Sequence, residues 1–98
     1  MSTAEEFRQR PAEGLRGPLL ALWWDAQGDW ERAHLVAQEE VAHKEESRDR
    51  AWVHAYLHRK EGDLANAAYW YRQAGRAVAR GPLQDEWAAI VTELLQRR

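Results

Sequence analysis

The chain has 98 residues, of which 45% are hydrophobic and 31% charged, enough for one hydrophobic core and too few for two. It has no cysteine, which excludes a disulfide framework, thiol chemistry and any cysteine-based zinc or iron–sulfur centre. A formal net charge of −2 argues against a general nucleic-acid binder, and no apolar run approaches the ~20 residues of a membrane span.

Helix formers fill every long segment, and strand signals are nearly absent. The spacing predicts a short helix over 3–10, capped by Ser2 or Thr3 with Glu5 and Glu6 in its first turn. Pro11 to Gly17 reads as a linker. Pro18 opens a helix, because its missing N–H costs nothing at the first helical position, and that helix runs to about Gln27. Gly28-Asp29 is a turn whose aspartate caps a helix from Trp30 to about Glu46. Ser47-Arg48-Asp49 reads as a break. A further helix runs from about Arg50 to Glu61 and ends at Gly62. Asp63 caps a helix from Leu64 to about Ala79, with Leu64, Ala67, Ala68, Tyr71, Ala74, Gly75 and Val78 on one stripe. Gly81-Pro82 precedes a last helix that runs to about Gln96. The segment Ala51 to Leu57 is apolar nearly all round, the mark of a helix packed on more than one side. The expected fold is therefore all-α, a single domain over 1–98. A first hairpin spans 18–46, a second spans 48–79, and 82–96 is a capping helix.

The two glycine turns repeat one another. Gly28-Asp29-Trp30-Glu31-Arg32-Ala33 matches Gly62-Asp63-Leu64-Ala65-Asn66-Ala67 at a spacing of 34 residues. With Ala55, Gly62-Asp63, Ala67, Tyr71 and Ala74 in place, the segment from Ala51 to Ala74 resembles a tetratricopeptide repeat. A weaker copy, about 17 to 40, keeps Ala21, Gly28 and Ala33. Neither copy carries the family's tryptophan at its usual place. The resemblance implies a short stack of antiparallel helical hairpins that acts by binding another protein. The whole chain is also similar to a group of small uncharacterised bacterial proteins, through Leu22-Trp23-Trp24-Asp25, Trp52-Val53-His54-Ala55-Tyr56-Leu57-His58-Arg59 and Tyr69-Trp70-Tyr71-Arg72. That similarity adds a fold and a bacterial origin, and no activity.

Three candidate chemistries follow. Tryptophan supplies six of the ten aromatic residues, and Trp52 and Trp70 are the two that the apolar stripes do not explain. Trp52 and Tyr56 share a helix side with Arg59 and Lys60. In a tetratricopeptide array that side lines the concave groove. Flat aromatic surfaces beside cations suit an extended acidic peptide. Trp52, Tyr56, Arg59, Lys60 and Trp70 are the expected partner-binding residues, unless the capping helix 82–96 covers them. The second chemistry is histidine. His54, His58 and Glu61 are spaced i, i+4, i+7 on one face, in the outline of a two-histidine, one-carboxylate site. His34 lies on the neighbouring helix. A buried imidazole can equally be structural if Glu61, Asn66 or Tyr71 satisfies it. These four residues are the alternative small-molecule or metal pocket, and the sequence itself calls for no metal or cofactor. The third reading is self-assembly into a homodimer, because residues 1–49 sum to −5 and residues 50–98 to +3. Arg72, Arg76 and Arg80 read as a cationic row on one helix.

No phosphate loop, dinucleotide fingerprint or nucleophile elbow is present, so a non-enzymatic module is expected. The N-terminus has no apolar h-region, and with no cysteine the expected setting is the cytoplasm.

Overall fold

The computed structural model describes residues 3–97. Among them every regular element is a helix: α1 Thr3–Gln9, α2 Gly17–Ala26, α3 Trp30–Ala37, α4 Lys44–Glu61, α5 Leu64–Ala74 and α6 Leu83–Gln96. The all-α expectation is met. The cap assigned to Ser2 lies outside the described residues.

Local chemistry explains the two tight hairpin turns. At Gly62 the backbone enters the left-handed region, with φ of +93°, which glycine adopts without steric cost. The Gly62 N–H then donates to the Arg59 carbonyl and the Asp63 N–H to the His58 carbonyl. This closes the last turn of α4 in a Schellman motif. The Asp63 side chain accepts from the Asn66 N–H at 3.2 Å and starts α5. The turn between α2 and α3 repeats this arrangement: Asp29 accepts from the Arg32 N–H at 3.0 Å.

Two helix boundaries differ from the sequence reading. The helix expected from Trp30 to Glu46 ends at Ala37, and α4 begins at Lys44. Ser47-Arg48-Asp49 therefore lies inside α4 and is no break. Serine and acidic residues are well tolerated in the first turns of a helix, where free N–H groups and the positive end of the dipole favour them. Glu45 and Glu46 occupy the first turn. The end of α3 is sealed from a distance, because the Arg50 guanidinium donates to the Val36 carbonyl. The second correction is at α5. Gly75 sits at a φ of +73° and the Arg76 N–H returns to the Tyr71 carbonyl. This ends the helix at Ala74, well before Ala79. The hairpins thus span 17–37 and 44–74. Val78 and Leu64, both expected on the buried stripe, are exposed.

The interior is organised around α4. Every residue from Arg50 to His58 is buried, and α2, α3, α5 and α6 all pack against this helix. Val53 and Leu57 of α4 meet Leu22, Tyr71, Ile90 and Val91 in the most deeply buried layer. The helix α1 closes one end by placing Phe7 against Trp87, with ring centroids 6.0 Å apart. The Trp87 indole N–H donates to the Leu22 carbonyl at 3.0 Å and joins α6 to α2. No helix is long and apolar enough to cross a membrane among the described residues.

Since no atom crowds the site of a Cβ at Gly62, replacing it tests backbone conformation alone. Gly62→Ala is expected to lower unfolding stability by about 1–2 kcal/mol, read from urea denaturation. An unchanged midpoint would refute the role given to this turn.

Candidate functional site

The two functional faces expected from sequence lie on opposite sides of α4, as their helical spacing requires. They have different fates.

On the first side, most of the expected partner-binding groups are consumed inside the molecule. Tyr56 is 2% exposed and donates to Asp25 at 2.7 Å. Lys60 donates to the other Asp25 oxygen at 2.8 Å. Arg59 donates to Glu86 of α6 at 2.8 Å and to the Gly81 carbonyl. Tyr71 donates to the second oxygen of Glu86. Asp25 and Glu86 are themselves buried, so each carboxylate needs a cation and a hydroxyl to offset its desolvation. Burial and the adjoining carboxylates push both tyrosine hydroxyls far above their usual pKa. The polar groups of Tyr56, Arg59 and Lys60 are therefore engaged within the chain, although the Lys60 side chain stays exposed beside a cavity of about 300 Å³. The capping helix and α2 cover that side, since α6 contributes Glu86 and α2 contributes Asp25.

Trp52 differs. Its ring lies at the floor of a groove of about 1050 Å³ between α4, the Gly75–Pro82 connection and α6. The Arg76 guanidinium rests 3.4 Å from the ring centroid, in cation–π contact. The early end of α5 makes this possible, since it carries Arg76 away from the expected cationic row and over the indole. The acidic groups along the groove are engaged. Glu45 and Asp49 pair with Arg97 at 3.2 and 2.7 Å, Glu93 pairs with Arg76 and Arg97, and Glu86 pairs with Arg59. The hydrogen bond that Arg97 donates to Asp49 leads the interactions that raise the Arg97 pKa. Three lining cations, Lys44, Arg48 and Arg80, are exposed, and no carboxylate pairs with them among the described residues.

On the second side the expected residues do come together. His34 of α3 and His54 of α4 share a hydrogen bond between their Nε2 atoms at 3.0 Å. The His58 ring lies 4.7 Å from the His54 ring and 5.1 Å from that of His34. Glu61 meets His58 Nδ1 at 2.6 Å, and the Asn66 amide faces His58 Nε2 at 3.3 Å. The consistent tautomer has Nδ1–H donating to the carboxylate and the Nε2 lone pair accepting from Asn66. Tyr71, the other partner considered for these rings, is turned to Glu86 instead.

Two tryptophans complete the cluster. Trp70 was expected at the groove; it stacks on His54 with centroids 4.1 Å apart and an 18° interplanar angle. Trp30 stacks on His34 at 4.9 Å and 7° and donates its indole N–H to the Leu57 carbonyl at 2.8 Å. Sequence spacing offered one signal for these walls: Trp30 stands four residues before His34, which places both on one helix face. The pairing of Trp70 with His54 depends on how α5 packs on α4.

Burial, aided by the neighbouring rings, disfavours the charged form of two of these imidazoles. Burial, then the neighbouring His34 and His58, lowers the His54 pKa to about 4. Burial and His58 lower that of His34, against a smaller opposing pull from Glu61. Asn66 and Trp70, which α5 contributes, carry no charge that would oppose this.

Compared with known proteins, the chain matches no family model, no curated protein and no solved structure.

A pH dependence follows. The unfolded His54 takes up a proton near its ordinary pKa of 6.5, while the folded one resists until about 4. The unfolded state therefore binds more protons between these values. Stability is full above pH 6.5 and falls as the pH drops toward 4, by at most about 1.4 kcal/mol per pH unit for one imidazole. Urea midpoints measured with a chelator at pH 7.5 and 5 should show this fall. His54→Asn should flatten it, and an equal slope in that variant would refute the assignment.

Proposed function

We propose that the protein is a non-enzymatic, cytoplasmic binding module that takes an extended acidic segment of another protein in the groove floored by Trp52. The observation that carries this reading is the charge arrangement of the groove. Its carboxylates are already paired within the chain, while Lys44, Arg48 and Arg80 are not. A segment rich in Asp and Glu gains those cations without displacing an internal pair. The indole of Trp52 under Arg76 adds a flat surface beside the charge. The reading accords with the resemblance to a tetratricopeptide repeat, in which the same side of the first helix faces the partner. It moves the expected contact cations from Arg59 and Lys60 to Lys44, Arg48 and Arg80. The absence of cysteine supports the cytoplasmic setting.

Nothing comparable favours self-assembly through the oppositely charged halves. Part of their complementarity is spent within the chain, in the pairs Lys60–Asp25, Arg97–Glu45 and Arg97–Asp49.

The test compares two fluorescein-labelled ten-residue peptides, one alternating Glu and Leu and the other Lys and Leu, by fluorescence anisotropy. The acidic peptide should bind more tightly, and its affinity should fall as salt is raised. The double variant Arg48→Glu, Arg80→Glu lies on the exposed rim and should weaken it at least tenfold. Equal binding of both peptides, or an unchanged affinity in the double variant, would overturn the proposal.

A further inference from the structure

On the side of α4 turned away from the groove, three imidazoles from two helices meet between two indoles. We propose that His34, His54 and His58 bind one divalent transition-metal ion of the zinc class through their ring nitrogens, with Glu61 as the outer carboxylate that orients His58.

Geometry comes first. Each of the three residues offers a ring nitrogen, and those atoms lie within 4.8 Å of one another. A tetrahedral ion with metal–nitrogen bonds of about 2.0–2.1 Å holds its ligand nitrogens roughly 3.4 Å apart. The His34–His54 pair stands at 3.0 Å, slightly inside that separation. The remaining adjustment is on the order of 1 Å, a distance within reach of side-chain rotation.

Satisfaction of the rings comes second. A structural cluster would give each imidazole its own protein partner. Only His58 has partners at both nitrogens, in Glu61 and Asn66. His34 and His54 share one hydrogen bond with each other, and their other ring nitrogens have none among the described residues.

The surroundings match a metal centre in two further respects. A ligating histidine commonly donates its second ring N–H to a carboxylate, which sets the tautomer and strengthens the ligand. Glu61 stands in that position at 2.6 Å from His58 Nδ1. That leaves Nε2 as the donor atom, where a metal would displace the Asn66 contact of 3.3 Å. Trp70 against His54 and Trp30 against His34 hold two of the rings in their planes. This lowers the entropy lost on coordination.

The donor set decides the kind of ion. Three imidazoles with no inner carboxylate suit Zn²⁺, Ni²⁺ or Cu²⁺ and are poor ligands for Mg²⁺ or Ca²⁺. Three protein ligands leave a fourth position for water. Because His34 belongs to the first hairpin and His54 and His58 to the second, the ion would also tie the hairpins together, and binding would raise the melting temperature.

The experiment uses tag-free, chelator-treated protein. After equilibrium dialysis against Zn²⁺, mass spectrometry of the bound metal should give one zinc per chain, with none retained from Mg²⁺ or Ca²⁺. Titration with Co²⁺ should give the visible absorption of a nitrogen-rich tetrahedral site. His34→Ala, at a half-buried position, should lower zinc affinity at least a hundredfold. Glu61→Gln should lower it about tenfold, and His43→Ala should leave it unchanged. Circular dichroism establishes that each variant is folded. If His34→Ala does not fold, the ring resonances of His34, His54 and His58 in the intact protein decide the question, since all three must shift on zinc addition. Less than one zinc per ten chains would overturn the proposal. So would unchanged affinity in a folded His34→Ala, which would place any ion on His58, Glu61 and Asp63 instead. The readout is metal alone, so its failure leaves the groove proposal standing.

Discussion

The structure depends on one constraint. The helix α4 is buried from Arg50 to His58, yet five of those nine residues carry polar side-chain groups: Arg50, Trp52, His54, Tyr56 and His58. A buried polar group without a partner costs more than a typical hydrogen bond contributes. Each neighbouring helix is therefore held in a place where it can answer one of them. The last turn of α3 offers the Val36 carbonyl to Arg50, α2 offers Asp25 to Tyr56, and His34 of α3 reaches His54. The same logic extends one residue further, where Glu86 of α6 takes Arg59 and Tyr71 together.

This arrangement divides the molecule. Toward α2 and α6, carboxylates meet tyrosines and cations of the chain itself. The groove beside that side has its own acids neutralised and keeps cations to spare. Toward α3 and α5, imidazoles meet imidazoles, and among the described residues no carboxylate bonds His34 or His54. The two sides of the central helix therefore differ in chemistry: one pairs carboxylates with cations and hydroxyls, and the other groups neutral aromatic rings around imidazoles.

Much of the local structure was legible in the chain. Gly28-Asp29 and Gly62-Asp63 specify their turns through a left-handed glycine and an aspartate cap, which are properties of neighbouring residues. The i, i+4, i+7 spacing of His54, His58 and Glu61 places them on one face of any helix, and the apolar run Ala51–Leu57 marks α4 as central. Of the two boundaries that differ, one has a non-local cause. The α3 helix ends where Arg50, fourteen residues away, can seal it. Only the left-handed Gly75 ends α5, and a helix stripe can absorb a glycine without remark.

The candidate sites separate along the same line. Which side chains share a helix face is set by 3.6-residue periodicity, so Trp52, Tyr56, Arg59 and Lys60 could be grouped, and so could His54, His58 and Glu61. What stands opposite each face is set by packing between helices far apart in sequence. Glu86 and Asp25 engaged Tyr56, Arg59 and Lys60, while Trp70 and His34 enclosed the second face. Periodicity acts within a single helix and is written in the chain. The burial of charge and the stacking of rings are pairwise between elements, and they come into being only when the helices dock.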